Sequence, residues 1–142
     1  MKLLKLAAVG LGFLSTAALA ATPEGTWLSE DGGTKVHIVN CGGNKLCGNV
    51  VWLSKPTDPK TGKPKTDKLN PDPAKRARPL IGLQVVRGLA ANGPNKWSGV
   101  IYNADDGHTY RANLQVQDSG TAKLEGCILR ILCKGHTWTR TN

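Results

Sequence analysis

Apolar and polar residues alternate along several short stretches of this chain. From Tyr110 to Val116 every second residue is apolar, and Val36 and Ile38 alternate with Lys35 and His37 in the same way. A period of two predicts β-strands with one buried face and one solvated face. After the first 20 residues the sequence shows little of the three-to-four-residue periodicity that indicates amphipathic helices.

Turn-forming residues separate these stretches at regular intervals, as in Asn-Gly-Pro-Asn at 92–95 and Asp-Asp-Gly at 105–107. We predict strands near residues 25–30, 34–40, 46–54, 82–90, 96–103, 108–117, 121–128 and 135–141. Only the run 80–90 is ambiguous, because periodicity alone does not assign a short apolar stretch. Evenly spaced strands with short turns predict an all-β fold, a small antiparallel meander barrel of about eight strands.

Residues 54–79 interrupt this rhythm with one long loop rich in proline and lysine. The segment holds six prolines and eight lysines or arginines against three acidic residues. Its prolines and low apolar content exclude a core strand. Loops of this length are either functional or mobile and solvated, and both interpretations stay open. In the functional one the loop is a cationic flap over one barrel mouth that gathers an anionic ligand with Lys60, Lys63, Lys65, Lys68, Arg76 and Arg78.

Residues 1–20 predict export. Two lysines precede an apolar run over residues 6–19, and Ala-Leu-Ala at 18–20 is a small-x-small cleavage site. The run is short and rich in small residues for a membrane-spanning helix, and no later stretch is apolar enough to span. No cysteine near the cleavage site would accept a lipid. We therefore expect a signal peptide and one soluble mature domain at 21–142, periplasmic or secreted.

Four cysteines occur as two C-x5-C pairs. In an exported chain an even number of cysteines predicts disulfides, here with three possible connectivities. A four-thiolate zinc site is the alternative, although such sites normally use closer spacing. We expect the local pairing, Cys41–Cys47 and Cys127–Cys133, and neither metal nor cofactor.

The chain is basic, with a formal net charge of +9. Positive charge favours anionic partners, although it also serves solubility without any partner. Nucleic acid is not expected, because the predicted compartment lacks it and the sequence has no basic stripe interleaved with aromatic residues. If the charge serves a partner, it therefore favours anionic small molecules, polymers or surfaces.

The two ends of the predicted mature domain carry matching motifs. Gly25-Thr26-Trp27 opens the first strand, and Trp138-Thr139-Arg140 closes the last. This resembles the lipocalin and calycin barrels, whose first strand begins G-x-W and whose last strand supplies a basic residue packed across that tryptophan. A guanidinium over an indole face stabilises by about 0.5–2 kcal/mol. The resemblance implies that Gly25, Trp27 and Arg140 close one end of the barrel.

A second resemblance covers nearly the whole predicted mature chain. It rests on GTWLSEDG (25–32), CGGNKLCGNVVWL (41–53), NPDPAKRARPLIGL (70–83), IYN (101–103), GHTY (107–110) and GCI (126–128). Together these segments resemble a bacterial family of small exported proteins catalogued as domain of unknown function 2147. The resemblance supports the compartment and the single domain and implies no catalytic residue. Ala104 and His108 stand where the family pattern has proline and lysine.

Candidate catalytic groups are dispersed. His37, His108 and His136 show no metal-binding H-x-x-x-H spacing, and no G-x-S-x-G motif occurs. Asp105 and Asp106 lie near His108, but Asp-Asp-Gly is first of all a turn sequence. We therefore do not expect an enzyme.

We expect a binding module for a small anionic or lipidic molecule of the cell envelope. The four tryptophans would either fill the barrel or line a ligand cavity in it. Two alternatives stay open: an envelope-acting enzyme at the barrel mouth, and a cationic interaction protein that docks on a membrane surface or an acidic partner.

Overall fold

Eight antiparallel strands close into a barrel in the computed structural model, which describes residues 10–14, 21–128 and 132–142. The strands are β1 (Gly25–Leu28), β2 (Thr34–Gly42), β3 (Lys45–Leu53), β4 (Gln84–Ala91), β5 (Lys96–Asn103), β6 (His108–Val116), β7 (Thr121–Ile128) and β8 (Leu132–Thr141). Each strand pairs with the next along the chain, and β1 pairs with β8. The predicted all-β meander barrel is confirmed.

The structure moves the predicted starts of two strands, β4 and β8. The ambiguous run at 80–90 becomes a strand from Gln84 onward, after backbone bonds join Gly82 and Leu83 to Val50. Strand β8 begins at Leu132, three residues before the predicted start, and it pairs with β7 from Leu132 to Thr139 and with β1 from Thr139 to Thr141.

Of the predicted signal peptide, residues 1–9 and 15–20 lie outside the described part of the chain. Residues 10–14 have no regular secondary structure, and the apolar Leu11, Phe13 and Leu14 are exposed there. Among the described residues, no helix is both long enough and apolar enough to cross a membrane.

Apolar side chains fill the barrel interior. Trp27 on β1 is fully buried in a core to which all eight strands contribute. Two glycines on inward-facing positions, Gly48 and Gly99, have neighbours in close contact. A Cβ added to Gly48 would lie 2.9 Å from Cγ1 of Val36, and one added to Gly99 would lie 2.6 Å from the carbonyl oxygen of Arg87. Eight-stranded barrels are just wide enough to be filled by side chains, and these two glycines let the neighbouring strands of the wall pack closely.

The four tryptophans divide into two roles. Trp27 and Trp138 are buried in the core. Trp97 is half-buried and packs against the core, whereas Trp52 is 41% exposed with the ammonium of Lys35 5.2 Å from its ring centre. Core packing thus accounts for two tryptophans fully and for a third in part.

One barrel end is closed by the contact between Trp27 and Arg140. The guanidinium carbon lies 4.3 Å from the centre of the indole ring. An added Cβ at Gly25 would overlap the same guanidinium, so only glycine fits beneath it. The guanidinium also donates at 2.6–2.7 Å to three backbone carbonyl oxygens, those of Thr22, Glu24 and Ser119. Arg140 therefore joins the segment before β1 to the β6–β7 turn.

Replacing Arg140 by alanine is expected to lower the free energy of unfolding by about 2 kcal/mol, because both the stacking and the hydrogen bonds to carbonyls are lost. Arg140→Lys should recover only part of this, since an ammonium lacks the planar fork. Urea unfolding followed by tryptophan fluorescence measures the effect, with Arg111→Ala on the exposed face of β6 as the control. Equal stability of Arg140→Ala and Arg111→Ala would contradict a structural role for the contact.

Two disulfides are present, and both follow the local pairing. Cys41 bonds to Cys47 across the β2–β3 hairpin, and Cys127 bonds to Cys133 across the β7–β8 hairpin. Glu125 lies close enough to Cys127 and Cys133 for the three to form a metal-ligand cluster. The sulfur atoms are bonded to each other, however, so this cluster offers no thiolate, the form of cysteine that binds metal.

Candidate functional site

The long basic loop is folded. Its first part forms a small hairpin in which Thr57 bridges to Pro64 and the amide of Lys65 donates to the carbonyl of Pro56. Its second part is joined by the bridge of Thr66 to Pro79. A 3-10 turn at Pro73–Lys75 interrupts this second part. The loop therefore has backbone hydrogen bonds of its own, which the interpretation as a mobile, solvated loop does not account for.

Asp67 anchors the second part of the loop. Its carboxylate is completely buried and accepts three hydrogen bonds. They come from the hydroxyl of Tyr102 at 2.5 Å, the amide of Asn70 at 2.8 Å and the guanidinium of Arg78 at 3.0 Å. Because a buried carboxylate needs such partners, the network fixes the loop against β5, the strand that carries Tyr102.

The protonation states of this network follow from its geometry. Burial raises the pKa of Asp67, but the hydrogen bonds from Tyr102, Asn70 and Arg78 outweigh burial and hold that pKa below its usual value. Burial and then the Asp67 carboxylate raise the pKa of Tyr102 to about 12. At neutral pH the carboxylate is therefore charged and the phenol keeps the proton that it donates.

The register of the sheet places this anchor outside the barrel. Ile101 pairs with Val86, which faces the core, so the neighbouring Tyr102 faces outward. Tyr102 is nevertheless only 6% exposed, because the loop covers it. The segment around Asp67 therefore packs beside β4, β5 and β6, whose residues Arg87, Tyr102 and Thr109 line the space next to it. The interpretation of the whole loop as a cationic flap stays a prediction.

A cleft of about 290 Å³ lies between the loop and this outer wall. Lys75 and Arg78 line it from the loop, and Arg87 lines it from β4. Its other lining residues are Asn70, Pro71, Asp72, Leu83, Gln84, Tyr102 and Thr109. Three cationic side chains thus face one small space on the surface.

Only one of the six basic residues singled out from the sequence lines this cleft, namely Arg78. Arg76 instead donates to the carbonyl of Asn70 at 2.7 Å and supports the loop from within. The lysines 60 and 63 are exposed on the hairpin of the loop, Lys65 is half-buried, and the ammonium of Lys68 lies 3.6 Å from the carboxylate of Asp58.

The sequence-based selection missed Lys75 and Arg87. Lys75 belongs to the predicted loop and could have been included on charge alone. Arg87 follows the apolar Val86 in β4, a pattern that marks it only as outward-facing. Its place beside the loop depends on the packing of Asp67, which no local sequence pattern indicates.

A second groove of about 220 Å³ lies on the outer face of β5, β6 and β7. Its polar walls include Ser98 and Asn113, which are hydrogen-bonded at 3.0 Å. The charge of its Lys123 is paired with Glu125 at 3.1 Å. Its lining therefore holds two cationic residues, Lys96 and Lys123, against the three that line the cleft beside the loop.

The three histidines lie on different elements with different partners. His37 on β2 is hydrogen-bonded to Thr26 at 2.8 Å, and His136 on β8 lies 3.0 Å from Glu30. His108 begins β6, with its ring 3.6 Å from Asp106. Asp106 also accepts hydrogen bonds from the Tyr110 hydroxyl and from the backbone of His108. The role of Asp106 in the β5–β6 turn thus accounts for this pairing.

Comparison with known proteins agrees with the barrel and the motifs. The family described as "Uncharacterized protein conserved in bacteria (DUF2147)" matches residues 25–140. Among solved structures, HP1028 from the human pathogen Helicobacter pylori, described as belonging to the lipocalin family, superposes with a TM-score of 0.73. The two are 21% identical, and the match covers 86% of this chain and 84% of that one. No curated protein sequence matches this chain. The chain therefore belongs to the DUF2147 family of uncharacterized bacterial proteins and has a lipocalin-like barrel fold.

Proposed function

We propose that this protein is an exported binding protein that holds a small anionic molecule in the cleft between its basic loop and the barrel wall. The observation that carries this proposal is the convergence of Lys75, Arg78 and Arg87 on one cleft of about 290 Å³. That volume suits a small organic molecule and excludes a folded macromolecule. An anionic ligand would add attraction to Lys75 and Arg87, beyond the pairing that Arg78 already has with Asp67 at 3.0 Å and despite the negative charge of Asp72 on the same cleft.

The packing of the barrel favours this site over the lumen. Trp27 is fully buried, and the inward positions of Gly48 and Gly99 lack room for a methyl group. A lumenal ligand would therefore have to displace close-packed core atoms, which is unfavourable. The outer cleft needs no such rearrangement, because the Asp67 network already holds the loop in place.

Export and a non-enzymatic role are parts of the same proposal. Two disulfides suit an oxidising compartment outside the cytoplasm. The three histidines have separate partners on separate elements, and each pairing is accounted for locally. Binding without chemistry is the simplest role that these residues support.

The test is a titration of the purified protein with glycerol 3-phosphate and with malonate, followed by shifts of backbone amide resonances in NMR spectra. At least one anion should shift resonances in residues 70–78 and 84–87. The double variant Lys75→Gln, Arg87→Gln should bind that anion at least about tenfold more weakly, because two charge-assisted contacts are lost. Binding by wild type should also weaken as salt is raised.

The control is the double variant Lys60→Gln, Lys63→Gln, which removes the same charge from exposed positions outside the cleft. It should bind the small anion nearly as wild type does. An equal loss in both double variants would show that only the overall charge matters. That result would favour the alternative of a cationic surface that docks on anionic membranes, for which the exposed hairpin with Lys60 and Lys63 is the natural contact.

A further inference from the structure

We propose that the cleft recognises a phosphoryl group carried by a small hydroxylated molecule and that Asp67 positions Arg78 for this contact. This inference rests on the proposed function, because it names the class of anion that the same cleft takes. It adds a specificity that positive charge alone does not provide.

The cationic groups reach the cleft from two walls. Lys75 and Arg78 belong to the loop, whereas Arg87 projects from β4 on the barrel. A carboxylate has two oxygens in one plane, and a single guanidinium can satisfy both through parallel hydrogen bonds. A phosphate monoester has three terminal oxygens in different directions and a charge of about −1.5 to −2 at neutral pH. Donors on facing walls therefore match a tetrahedral group better than a planar one.

Arg78 is held on its wall by Asp67. One terminal nitrogen of the guanidinium donates to the buried carboxylate at 3.0 Å. The side chain of Arg78 is still 44% exposed, so its other N–H groups remain accessible from the cleft. Tyr102 and Asn70 hold the carboxylate from its other sides. Because the orientation of the guanidinium depends on this chain of bonds, Asp67 acts as a positioning residue and does not touch the ligand.

The remaining walls restrict the rest of the ligand. Thr109 and Gln84 offer a hydroxyl and an amide, which suit hydroxyl groups on a short carbon skeleton. Asp72 lies on the same cleft, and its carboxylate caps the 3-10 turn by accepting from the amide of Ala74 at 3.0 Å. Its negative charge disfavours a second anionic group on the ligand. The preferred ligand therefore carries one phosphoryl group.

The experiment compares three probes by isothermal titration calorimetry and NMR. Glycerol 3-phosphate carries one tetrahedral phosphate and hydroxyl groups, malonate is a dianion with two planar carboxylates, and methyl sulfate is a tetrahedral monoanion. Wild type should bind glycerol 3-phosphate about tenfold or more tightly than malonate at equal ionic strength. Methyl sulfate should shift the same resonances with lower affinity, because it has the shape but half the charge.

Two variants test the roles of the residues. Arg87→Gln removes the cationic donor on the β4 wall, so it should lose most of the preference for glycerol 3-phosphate over malonate, whereas Arg87→Lys keeps a cation there and should retain more of it. Asp67→Asn should also reduce this ratio, because the amide no longer holds Arg78 as an anion does. Arg140→Ala is the control. It destabilises the protein at the contact with Trp27, away from the cleft, and should keep the ratio of the affinities for glycerol 3-phosphate and malonate. All variants are compared at a temperature where circular dichroism shows them folded.

The outcomes separate the two proposals. Equal binding of malonate and glycerol 3-phosphate, lost in the double variant Lys75→Gln, Arg87→Gln, would overturn the phosphoryl specificity and leave the anion site standing. An unchanged affinity ratio in Asp67→Asn would overturn the positioning role. If neither probe binds in a manner that depends on Arg87, both the specificity and the proposed function fail.

Discussion

The free energy of unfolding should be about 3 kcal/mol lower in the Asp67→Ala variant, because the substitution removes a buried carboxylate that accepts three hydrogen bonds. The Tyr102 hydroxyl and the guanidinium of Arg78 would both lose their acceptor, and the amide of Asn70 would lose its bond. The loop should then separate from the outer wall. Urea unfolding measures the loss of stability, and faster hydrogen exchange of the Leu80 amide, which donates to Lys65 in the loop, reports the local opening.

Asp105→Ala provides the control for this variant. Asp105 is also an aspartate near the loop, but its side chain is exposed, so its removal should change stability by less than about 0.5 kcal/mol. If Asp67→Ala lost no more stability than Asp105→Ala, the buried network would not be what holds the loop.

The loss of stability in the Asp67→Ala variant should depend on pH. The pKa of Asp67 is lower in the folded protein than in the unfolded chain, where it is about 3.9. Its stabilising contribution is therefore complete above that pH and is lost as the pH falls through the lower folded value. The difference in stability between wild type and Asp67→Ala should narrow below about pH 4. The other aspartates are present in both proteins and cancel from this difference.

The second large effect is expected at Gly107, in the turn between β5 and β6. Gly107 is buried and has a φ of 73°, and an added Cβ would overlap the backbone carbonyl of Leu69 in the loop. Alanine there would combine an unfavourable left-handed conformation with a clash against backbone atoms. Gly107→Ala should therefore lower the free energy of unfolding by about 3 kcal/mol or more and displace the loop.

Gly62→Ala separates the two contributions. Gly62 has nearly the same φ, 69°, but an added Cβ would meet no atom within 4 Å. Its replacement should cost only about 1 kcal/mol, the penalty for the left-handed conformation alone. Denaturant unfolding of both variants measures the difference. Similar losses at Gly62 and Gly107 would contradict a close contact between the β5–β6 turn and the loop.

The turn at 105–107 shows that a local motif predicts a turn but not its contacts with distant segments. Its Asp-Asp-Gly sequence predicted a hairpin turn correctly, because glycine tolerates the positive φ that such turns require. That the glycine also admits the carbonyl of Leu69 depends on a segment 38 residues earlier in the chain. Local sequence patterns do not predict such a contact.

The amino-acid sequence by itself determined the barrel. Strand alternation, turn residues and even spacing are local properties, and a meander pairs strands that are neighbours along the chain, so local patterns predict seven of its eight pairings. The eighth pairing, of β1 with β8, joins the two ends of the domain and was indicated by the matching motifs at Trp27 and Arg140. Only the tertiary structure decided where the loop lies. Loop residues lack a periodic pattern, and the burial of Asp67 beneath Tyr102 joins segments 35 residues apart. The cleft follows from that one placement, since it brings Arg78 from the loop and Arg87 from β4 to the same space.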